Sequence, residues 1–448
     1  MAGTSKPESV LTKQQRIAEL AKQSPQMGFI SLNHHLDLIW LIEAGNRTRT
    51  DGAPGVDGQT SEDYGRNLLD NLKSLLGRAK SGAYWAPPVR RAYIPKGTGP
   101  ETRPLGIPTL EDKILQRAIV MVLEPIYEQD FLNCSHGFRP GRSAHAALAA
   151  LWQQVMDLGG CWLVEVDIRK YFDTLDHACL RGLLKQRVRD GVVLRLVDKW
   201  LNAGVLEDGI ISYPEAGTPQ GGVISPLLAN IYLHYVLDVW FEGVAKPRLK
   251  GRAFLVRYAD DFVMGFACEG DARRVLAVLP QRFGKYGLQI HPDKTRLVPF
   301  LRPAHRPSEN GGQVVTPPES FDFLGFTHYW SQSKKGNWVV KRKTADNRLT
   351  RAIEKVAEWC RLNRHRPIRE QYEALRRKLQ GHYQYYGVIG NLRCLSLFRY
   401  EVVRLWRKWL SRRKRRGQWS WARFARLLKR FVLPWPRSGW VPPDAVKP

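Results

Sequence analysis

Apolar residues recur at helical spacing in some parts of this chain and form short strand-like runs in others. They recur at helical spacing in residues 11–21 and 35–44, which predicts two amphipathic helices. Two polar segments rich in glycine and proline, residues 51–58 and 302–318, predict loops. Residues 93–108 carry two short strand-like runs around a polar segment, which predicts a strand, a loop and a second strand. The chain contains no internal repeat, so an ordinary globular arrangement is expected.

The middle of the chain contains strand-like apolar runs that alternate with helical stretches, a pattern typical of an α+β fold with a mixed sheet. Residues 161–167 are almost continuously apolar, which predicts a buried strand with Asp167 at its carboxyl end. Residues 253–266 form two strand-like halves that meet at Asp260 and Asp261. This second run therefore predicts a β-hairpin with two acids at its tip.

The composition describes a folded protein with a strongly basic end. Of the 448 residues 43% are apolar and 10% aromatic, which is too hydrophobic for a disordered chain, and 38 Gly and 28 Pro occur without a collagen-like period. The formal net charge is +28. Residues 341–448 carry 29 Lys and Arg against 7 Asp and Glu, so +22 of the charge lies there and only +6 in the first 340 residues. A polyanionic partner is expected.

The six cysteines are scattered and form no C-x-x-C pair, so they are predicted to be reduced thiols, several of them in the core. The first twenty residues lack a basic segment followed by an apolar one, and no apolar run is long enough to cross a bilayer. The sequence therefore predicts a cytoplasmic protein without a membrane partner.

Three acids on two apolar strands indicate a functional cluster and not only residues that favour turns. A single Asp is most simply read as a solvated turn residue. Clustered carboxylates repel one another, however, and remain ionised together when divalent cations neutralise them. Carboxylate oxygens without soft ligands suit Mg²⁺, and a pair of such ions supports in-line phosphoryl displacement. Together with the basic charge, Asp167, Asp260 and Asp261 predict nucleotidyl transfer on a nucleic acid.

Ordered motifs then give the chain a family resemblance. Residues 258–261, Tyr-Ala-Asp-Asp, resemble the Tyr-x-Asp-Asp hairpin of reverse transcriptases, and residues 166–173 resemble their first metal-binding strand. Five further blocks resemble successive blocks of group II intron-encoded reverse transcriptases: residues 53–58, 93–108, 136–142, 217–226 and 323–326. The similarity extends from about residue 30 to residue 430. It implies a right-hand polymerase fold that uses two Mg²⁺ ions, an RNA template, a DNA primer and deoxynucleoside triphosphates.

The resemblance also implies a set of metal-binding positions. Asp167 and Asp260 match the carboxylates that hold both catalytic metal ions in the family. Asp261 matches a third, less directly engaged carboxylate. Ile168 matches a position that offers its backbone carbonyl to a metal ion.

Positions that match nucleotide-binding residues lie in separate blocks. Lys96 and Arg103 match the pair that grips the triphosphate, where Lys gives a point charge and Arg can bind two oxygens. Phe172 matches the ring beneath the sugar, which leaves no space for a 2′-hydroxyl. Gln220 matches a contact to the incoming nucleotide, and Lys294 a lysine that serves as a proton donor to pyrophosphate. Taken alone, each would more simply be read as core, turn or solvated surface.

The basic end predicts a nucleic-acid surface. Between residues 398 and 415 apolar residues recur at helical spacing, and the remaining face carries the basic residues Arg404, Arg407, Lys408, Lys414 and Arg415. Residues 379–387 and 405–409 resemble the maturase, or thumb, domain of group II intron proteins, which binds intron RNA. Interleaved Tyr and Arg are also suited to stacking on unpaired bases.

The composition and the resemblance together predict four segments. These are an N-terminal extension (1–60), reverse transcriptase fingers and palm (61–340), a helical basic thumb or maturase domain (341–430) and a C-terminal tail (431–448). Many relatives continue into a DNA-binding region and a zinc-bearing endonuclease. Neither region is expected in this sequence. In this respect the sequence resembles the compact class C group II intron proteins.

RNA-directed DNA synthesis coupled to intron splicing and retrohoming is the function that these features favour. Two alternatives stay open: an RNA-binding splicing cofactor with a vestigial polymerase site, and a reverse transcriptase recruited to repair or phage defence. Retention of every matched acidic and triphosphate-contacting position argues against the first. The sequence predicts no particular oligomeric state.

Overall fold

The computed structural model describes residues 9–95, 102–207, 209–213, 217, 221–303, 319–413 and 419–437. Its helices are α1 (Val10–Gln23), α2 (Leu38–Asn46), α3 (Ser61–Gly65), α4 (Leu68–Ser81), α5 (Leu110–Asp130), α6 (Ala144–Leu158), α7 (Tyr171–Thr174), α8 (His177–Arg187), α9 (Gly191–Leu201), α10 (Ser225–Leu233), α11 (Glu269–Gly284), α12 (Asp346–Leu362), α13 (Ile368–Tyr386), α14 (Leu392–Ser411) and α15 (Trp421–Arg430). Its strands are β1 (Val89–Pro95), β2 (Thr102–Ile107), β3 (Gly160–Val166), β4 (Val205–Glu207), β5 (Ile210–Ser212), β6 (Ala253–Tyr258), β7 (Asp261–Phe266), β8 (Arg296–Leu301), β9 (Phe321–Phe323), β10 (Phe326–Gln332) and β11 (Trp338–Thr344).

Within the described residues the strands form three sheets, and the α+β class is confirmed. The first sheet has the order β2-β1-β4-β5 and contains one parallel pair, β1 with β4. The second, called here the central sheet, has the order β6-β7-β3-β8. The third has the order β11-β10-β9 and is antiparallel.

Local sequence accounts for most element boundaries. The predicted strands at 93–108, 161–167 and 253–266 correspond to β1 and β2, to β3, and to the hairpin of β6 and β7. The second predicted helix begins three residues later than expected, because the Asp37 side chain accepts the Trp40 N–H and caps α2 there.

The chain divides into two compact units, residues 1–154 with 162–297, and residues 155–161 with 298–448. The first has a large apolar core built mainly from α1, α2, α5, α8, α9, α10 and the central sheet. The second has its own core among α12, α13, α14 and α15. This division lies before residue 340, which is inside β11, and the four predicted segments stay a prediction.

Hydrogen bonds within the second unit explain why its strands group with its helices. The Tyr385 hydroxyl donates to the Leu324 carbonyl at 2.8 Å, and the side chain of Asn391 accepts from the Thr344 N–H at 2.9 Å. These bonds join the ends of β9 and β11 to α13 and the start of α14.

No helix in the described ranges is both long and apolar enough to cross a membrane. All six cysteines are free, and Cys161 and Cys360 are buried.

A buried ion pair supports the hairpin of the central sheet. The Arg257 side chain is fully buried in β6 and donates to both carboxylate oxygens of Asp238, at 2.8 and 2.5 Å. Its remaining nitrogen, Nη1, donates to Asn230 Oδ1 at 2.9 Å and to the Ala259 carbonyl at 3.0 Å. Bidentate geometry of this kind fixes orientation as well as charge. Arg257 therefore links the hairpin tip to the helical segment that follows β5.

We expect Asp238→Asn to lower the free energy of unfolding by about 3–5 kcal/mol, because it leaves the Arg257 charge buried without a counter-charge. The matched control is Asp198→Asn, which breaks the partly exposed Arg181–Asp198 pair and should cost less than about 1 kcal/mol. Equilibrium urea unfolding measures both. Equal losses in the two variants would contradict the prediction.

Candidate active site

The pairing of two strands brings three acids to one edge of the central sheet. Val166 pairs with Phe262 across the antiparallel β3–β7 ladder. Asp167 is the residue directly after β3, and Asp261 is the first residue of β7 and precedes Phe262, so the same register brings the two positions together. Asp260 lies in the two-residue turn between β6 and β7. Residues almost a hundred positions apart are thus gathered by backbone register, as the sequence predicted for the hairpin and the strand end.

The hairpin tip has an unusual backbone that its neighbours hold in place. Ala259 has a φ of 56°, a conformation that costs a residue with a side chain roughly 1 kcal/mol. Its carbonyl accepts from the buried Arg257. On the other side Gly137 packs against the tip so closely that an added Cβ would lie 2.3 Å from the Ala259 nitrogen. The Gly137 carbonyl in turn accepts from Asn230 Nδ2 at 2.6 Å.

The charged side chains around the hairpin tip affect one another's electrostatics. Burial raises the pKa of the Asp260 carboxyl above its ordinary value, and the nearby charge of Asp167 acts in the same direction. The cations Arg103 and Arg257 oppose this rise. Arg103, exposed on β2, therefore lies within electrostatic reach of the acids, although it comes from a different sheet.

Lys294 contacts the first of these acids directly. Its Nζ lies 3.0 Å from Asp167 Oδ2, and both side chains are partly exposed. The Asp167 carbonyl accepts from the His291 N–H at 2.8 Å, which attaches the turn carrying Lys294 to the end of β3.

Ile168 is buried and makes an isolated antiparallel bridge with Ile290. The flanking backbone hydrogen bonds run from Arg169 N to the Gln289 carbonyl and from His291 N to the Asp167 carbonyl, both at 2.8 Å. Neither bond uses the carbonyl of Ile168, so this bridge leaves that oxygen available as a ligand.

Phe172 lies just beyond β3 in α7. Lys170, with a φ of 47°, turns the chain into this short helix, and the Tyr171 hydroxyl anchors it by donating to the Ala229 carbonyl at 2.7 Å. Phe172 is partly buried beside the core and packs edge-on against Tyr171. A Cβ on Gly217, whose φ is 93°, would lie 2.8 Å from the Phe172 carbonyl oxygen. Gly217 thus lies directly against α7.

Four predicted site residues lie outside the described residues. These are Lys96, Gln220, Lys414 and Arg415.

The basic face of α14 is partly used within the protein. Arg404 donates to the carboxylate of Glu401 at 2.9 and 2.7 Å. Arg407 is half-buried and lies over the Trp421 ring, 4.0 Å from its centroid. Lys408 is exposed. Lys408 Nζ also lies 5.9 Å from the centroid of the neighbouring Trp409 ring, so each of these three cations has a partner within the protein.

Several supporting residues were not predicted from the sequence. Arg257, Asp238, Asn230 and Gly137 shape the tip without belonging to the acidic cluster. Two signals were present: an Arg inside an otherwise apolar strand, and the glycine of the His-Gly-Phe-Arg block.

Within the part of the chain that the structure describes, no three His, Cys, Asp or Glu side chains converge closely enough to form a metal site by themselves. Three like charges repel one another, and Asp167 pairs with Lys294 instead. The donors that remain at this edge are hard oxygens, from Asp167, Asp260, Asp261 and the Ile168 carbonyl, and this set suits Mg²⁺ chemically.

Comparison with known proteins defines the class. The family model described as reverse transcriptase (RNA-dependent DNA polymerase) matches residues 94–328, more than half of the chain. These residues contain the central sheet with all three acids. The chain therefore belongs to the reverse transcriptase family, the RNA-directed DNA polymerases.

The chain is also similar to several curated proteins. Protein YkfC of Escherichia coli (strain K12) is 37% identical over 293 residues, which cover 58% of this chain and 76% of YkfC. Group II intron-encoded protein LtrA of Lactococcus lactis subsp. cremoris is 46% identical over 166 residues, 37% of this chain and 27% of LtrA. Nuclear intron maturase 2, mitochondrial, of Arabidopsis thaliana is 28% identical over 232 residues, 43% of this chain and 30% of that protein. The chain is thus similar to an intron-encoded protein and an intron maturase, and it spans three quarters of YkfC but less than a third of the other two relatives.

We expect Gly137→Ala to destabilise the protein by about 1–3 kcal/mol, because the new methyl group would collide with the backbone of Ala259. The matched control is Gly182→Ala in α8, where an added Cβ meets nothing within 4 Å. That control should be neutral or slightly stabilising, since Ala has the higher helix propensity. Thermal melting of the two variants measures the difference, and a Gly137→Ala variant as stable as the control would show that the tip is not tightly packed.

Proposed function

We propose that this protein copies RNA into DNA with two Mg²⁺ ions, and that it binds intron RNA to promote splicing and retrohoming. The register that brings Asp167 beside Asp260 and Asp261 is the observation that carries the proposal. Family membership supports the polymerase activity, and the similarity to an intron-encoded protein and to an intron maturase supports the role in splicing.

The proposed metal ligands are Asp167, Asp260, Asp261 and the Ile168 carbonyl. The raised pKa of Asp260 indicates a half-buried carboxylate beside a like charge, an arrangement that a bound divalent cation would relieve. When bound, a pair of Mg²⁺ ions supplies Lewis acidity at the attacking and leaving oxygens of phosphoryl transfer.

The side chains around the acids have distinct proposed roles in binding a deoxynucleoside triphosphate. Arg103 presents its guanidinium to the triphosphate and offsets the charge that develops on pyrophosphate. Lys294 holds a proton 3.0 Å from Asp167 and gives it to the departing pyrophosphate. Phe172 packs beneath the sugar and excludes a 2′-hydroxyl. Lys96 and Gln220 stay proposed contacts to the same nucleotide.

The proposed architecture is a right hand. The first and central sheets correspond to fingers and palm, and α12 to α15 to a thumb that grips template and primer. Exposed cations such as Lys408, with Arg404, Arg407, Lys414 and Arg415, are proposed to contact phosphate. Each phosphate contact of this kind contributes a salt-dependent term to affinity, so RNA binding should weaken steeply with ionic strength.

Replacing Asp260 by Asn tests the polymerase site. We expect Asp260→Asn to slow DNA synthesis by about 10²- to 10⁴-fold while RNA affinity is retained, because one ligand charge is lost and the basic surface is untouched. The assay is primer extension on an RNA template with Mg²⁺.

The matched control for Asp260→Asn is Asp293→Asn, which removes a highly exposed acid next to Lys294 and should leave synthesis within a fewfold of the parent rate. Undiminished synthesis by Asp260→Asn would refute the assignment. A group II intron splicing assay with the same variant then separates the two activities: splicing at the parent rate supports a splicing role that is independent of the polymerase site.

Replacing Phe172 by Val tests the sugar gate. The smaller side chain opens space beneath the sugar, so Phe172→Val should incorporate ribonucleotides more readily. Single-nucleotide incorporation with matched deoxyribo- and ribonucleoside triphosphates measures the selectivity ratio, and Phe172→Leu is the control that keeps most of the bulk. An unchanged ratio in Phe172→Val would show that another residue selects the sugar.

A further inference from the structure

The buried acid Asp112 lies on α5, in the first unit. The carboxylate of Asp112 is 2% exposed and accepts three hydrogen bonds, all from neutral groups. Tyr84 Oη and Trp200 Nε1 donate to Oδ1 at 2.5 and 2.6 Å, and Gln116 Nε2 donates to Oδ2 at 3.1 Å. Burial raises the pKa of Asp112 to about 6, against the effect of these hydrogen bonds. Burying a carboxylate is energetically unfavourable, so packing alone does not explain why Asp112 lies in the core.

The third hydrogen bond orients an amide. A carboxylate only accepts, so Gln116 must turn its NH₂ group toward Asp112 and its oxygen away. That oxygen, Oε1, accepts from the backbone N–H of Ile224 at 3.2 Å. Ile224 is the residue before α10 and makes no side-chain cap for that helix. The side chain of Gln116, on α5, thus accepts a hydrogen bond from a backbone N–H at the start of α10.

The start of α10 is closely connected to the candidate active site. Just before it, Gly221 has a φ of 120°, and an added Cβ would lie 2.5 Å from the Gly106 carbonyl on β2, the strand that carries Arg103. Further along α10, the Ala229 carbonyl receives the Tyr171 hydroxyl beside Phe172. The next residue on α10, Asn230, contacts Arg257 under the hairpin tip.

We propose that Asp112 and Gln116 are positioning residues for nucleotide incorporation: the carboxylate fixes the Gln116 amide, and the amide fixes the start of α10 and the adjoining Gly221. This inference rests on the proposed polymerase function. Neither residue is expected to touch the nucleotide, so neither is a catalytic residue.

Two single substitutions and their combination test the pair. In Asp112→Asn an NH₂ group replaces Oδ2, so Gln116 must flip and turn its own NH₂ toward the Ile224 N–H, or leave two NH₂ groups opposed. In Gln116→Glu two carboxylates face each other. In the double variant the new amide at position 112 donates to the new carboxylate at position 116, whose other oxygen accepts from Ile224. The double variant therefore restores every hydrogen bond of the pair. It has the same net charge and nearly the same side-chain volume as the parent protein.

We expect each single variant to raise the KM for deoxynucleoside triphosphate by about threefold to tenfold, the effect of losing one buried hydrogen bond, with a smaller change in kcat. The double variant should return the KM to within about twofold of the parent value, a non-additivity diagnostic of direct contact. Gln129→Glu adds the same charge at an exposed position of α5 and should leave KM unchanged. Assays are run well below the melting temperature of each variant.

Hydrogen exchange of peptides covering residues 221–231 gives a readout that does not depend on activity. Exchange should accelerate in both single variants and slow again in the double variant. Single variants with parental KM and exchange, or a double variant no better than either single, would overturn the inference. Lower melting temperatures with parental KM and parental exchange would also overturn it, because they indicate a structural role only. An inactive parent protein would refute the proposed function, while the exchange data would still decide whether this pair fixes the start of α10.

Discussion

The antiparallel register between β3 and β7 is the constraint on which the rest of the site depends. A slip of one residue would turn Asp167 to the opposite face of the sheet, because side chains alternate along a strand. Packing fixes the neighbouring β6–β7 register at one point in particular, because Gly265 pairs with Phe254 and the Phe254 ring lies where a Cβ at residue 265 would be. Only glycine fits there, so the hairpin that pairs with β3 has a single favourable alignment.

Buried charge fixes the elements that this register brings together. Arg257 binds Asp238, Asn230 and the tip of the hairpin, which lets a non-glycine residue occupy a left-handed conformation beside the acids. Desolvating such groups is unfavourable, and an apolar side chain of similar size would often be no less stable. The ion pair contributes a fixed orientation, because the Arg257 guanidinium, bound to three partners, has one allowed geometry. The large apolar core of the first unit supplies the stability that this arrangement does not.

Short-range features of the fold were predictable, and long-range side-chain pairing was not. Apolar runs and helical spacing predicted β3, the hairpin, α1 and α14, because those patterns depend on neighbours two to four positions away. The three acids were also predictable, since they end apolar strands. By contrast, Arg407 lies over the ring of Trp421, 14 positions away, and the spacing of apolar and basic residues gave no sign of that contact. Asp112 carried no visible signal, because its partners Tyr84 and Trp200 are 28 and 88 positions away.

The helix α10 explains how such distant groups can act on one site. Gln116 meets it at Ile224, Tyr171 at Ala229 and Arg257 at Asn230, so three parts of the first unit contact one nine-residue helix. All but one of its residues are buried, so a rigid-body shift would disturb packing along its whole length. A polar contact at its first turn therefore constrains the same element that supports Phe172 and the hairpin tip. In this protein the positions of the acids follow from the sheet, and the positions of the groups around them follow from one buried helix.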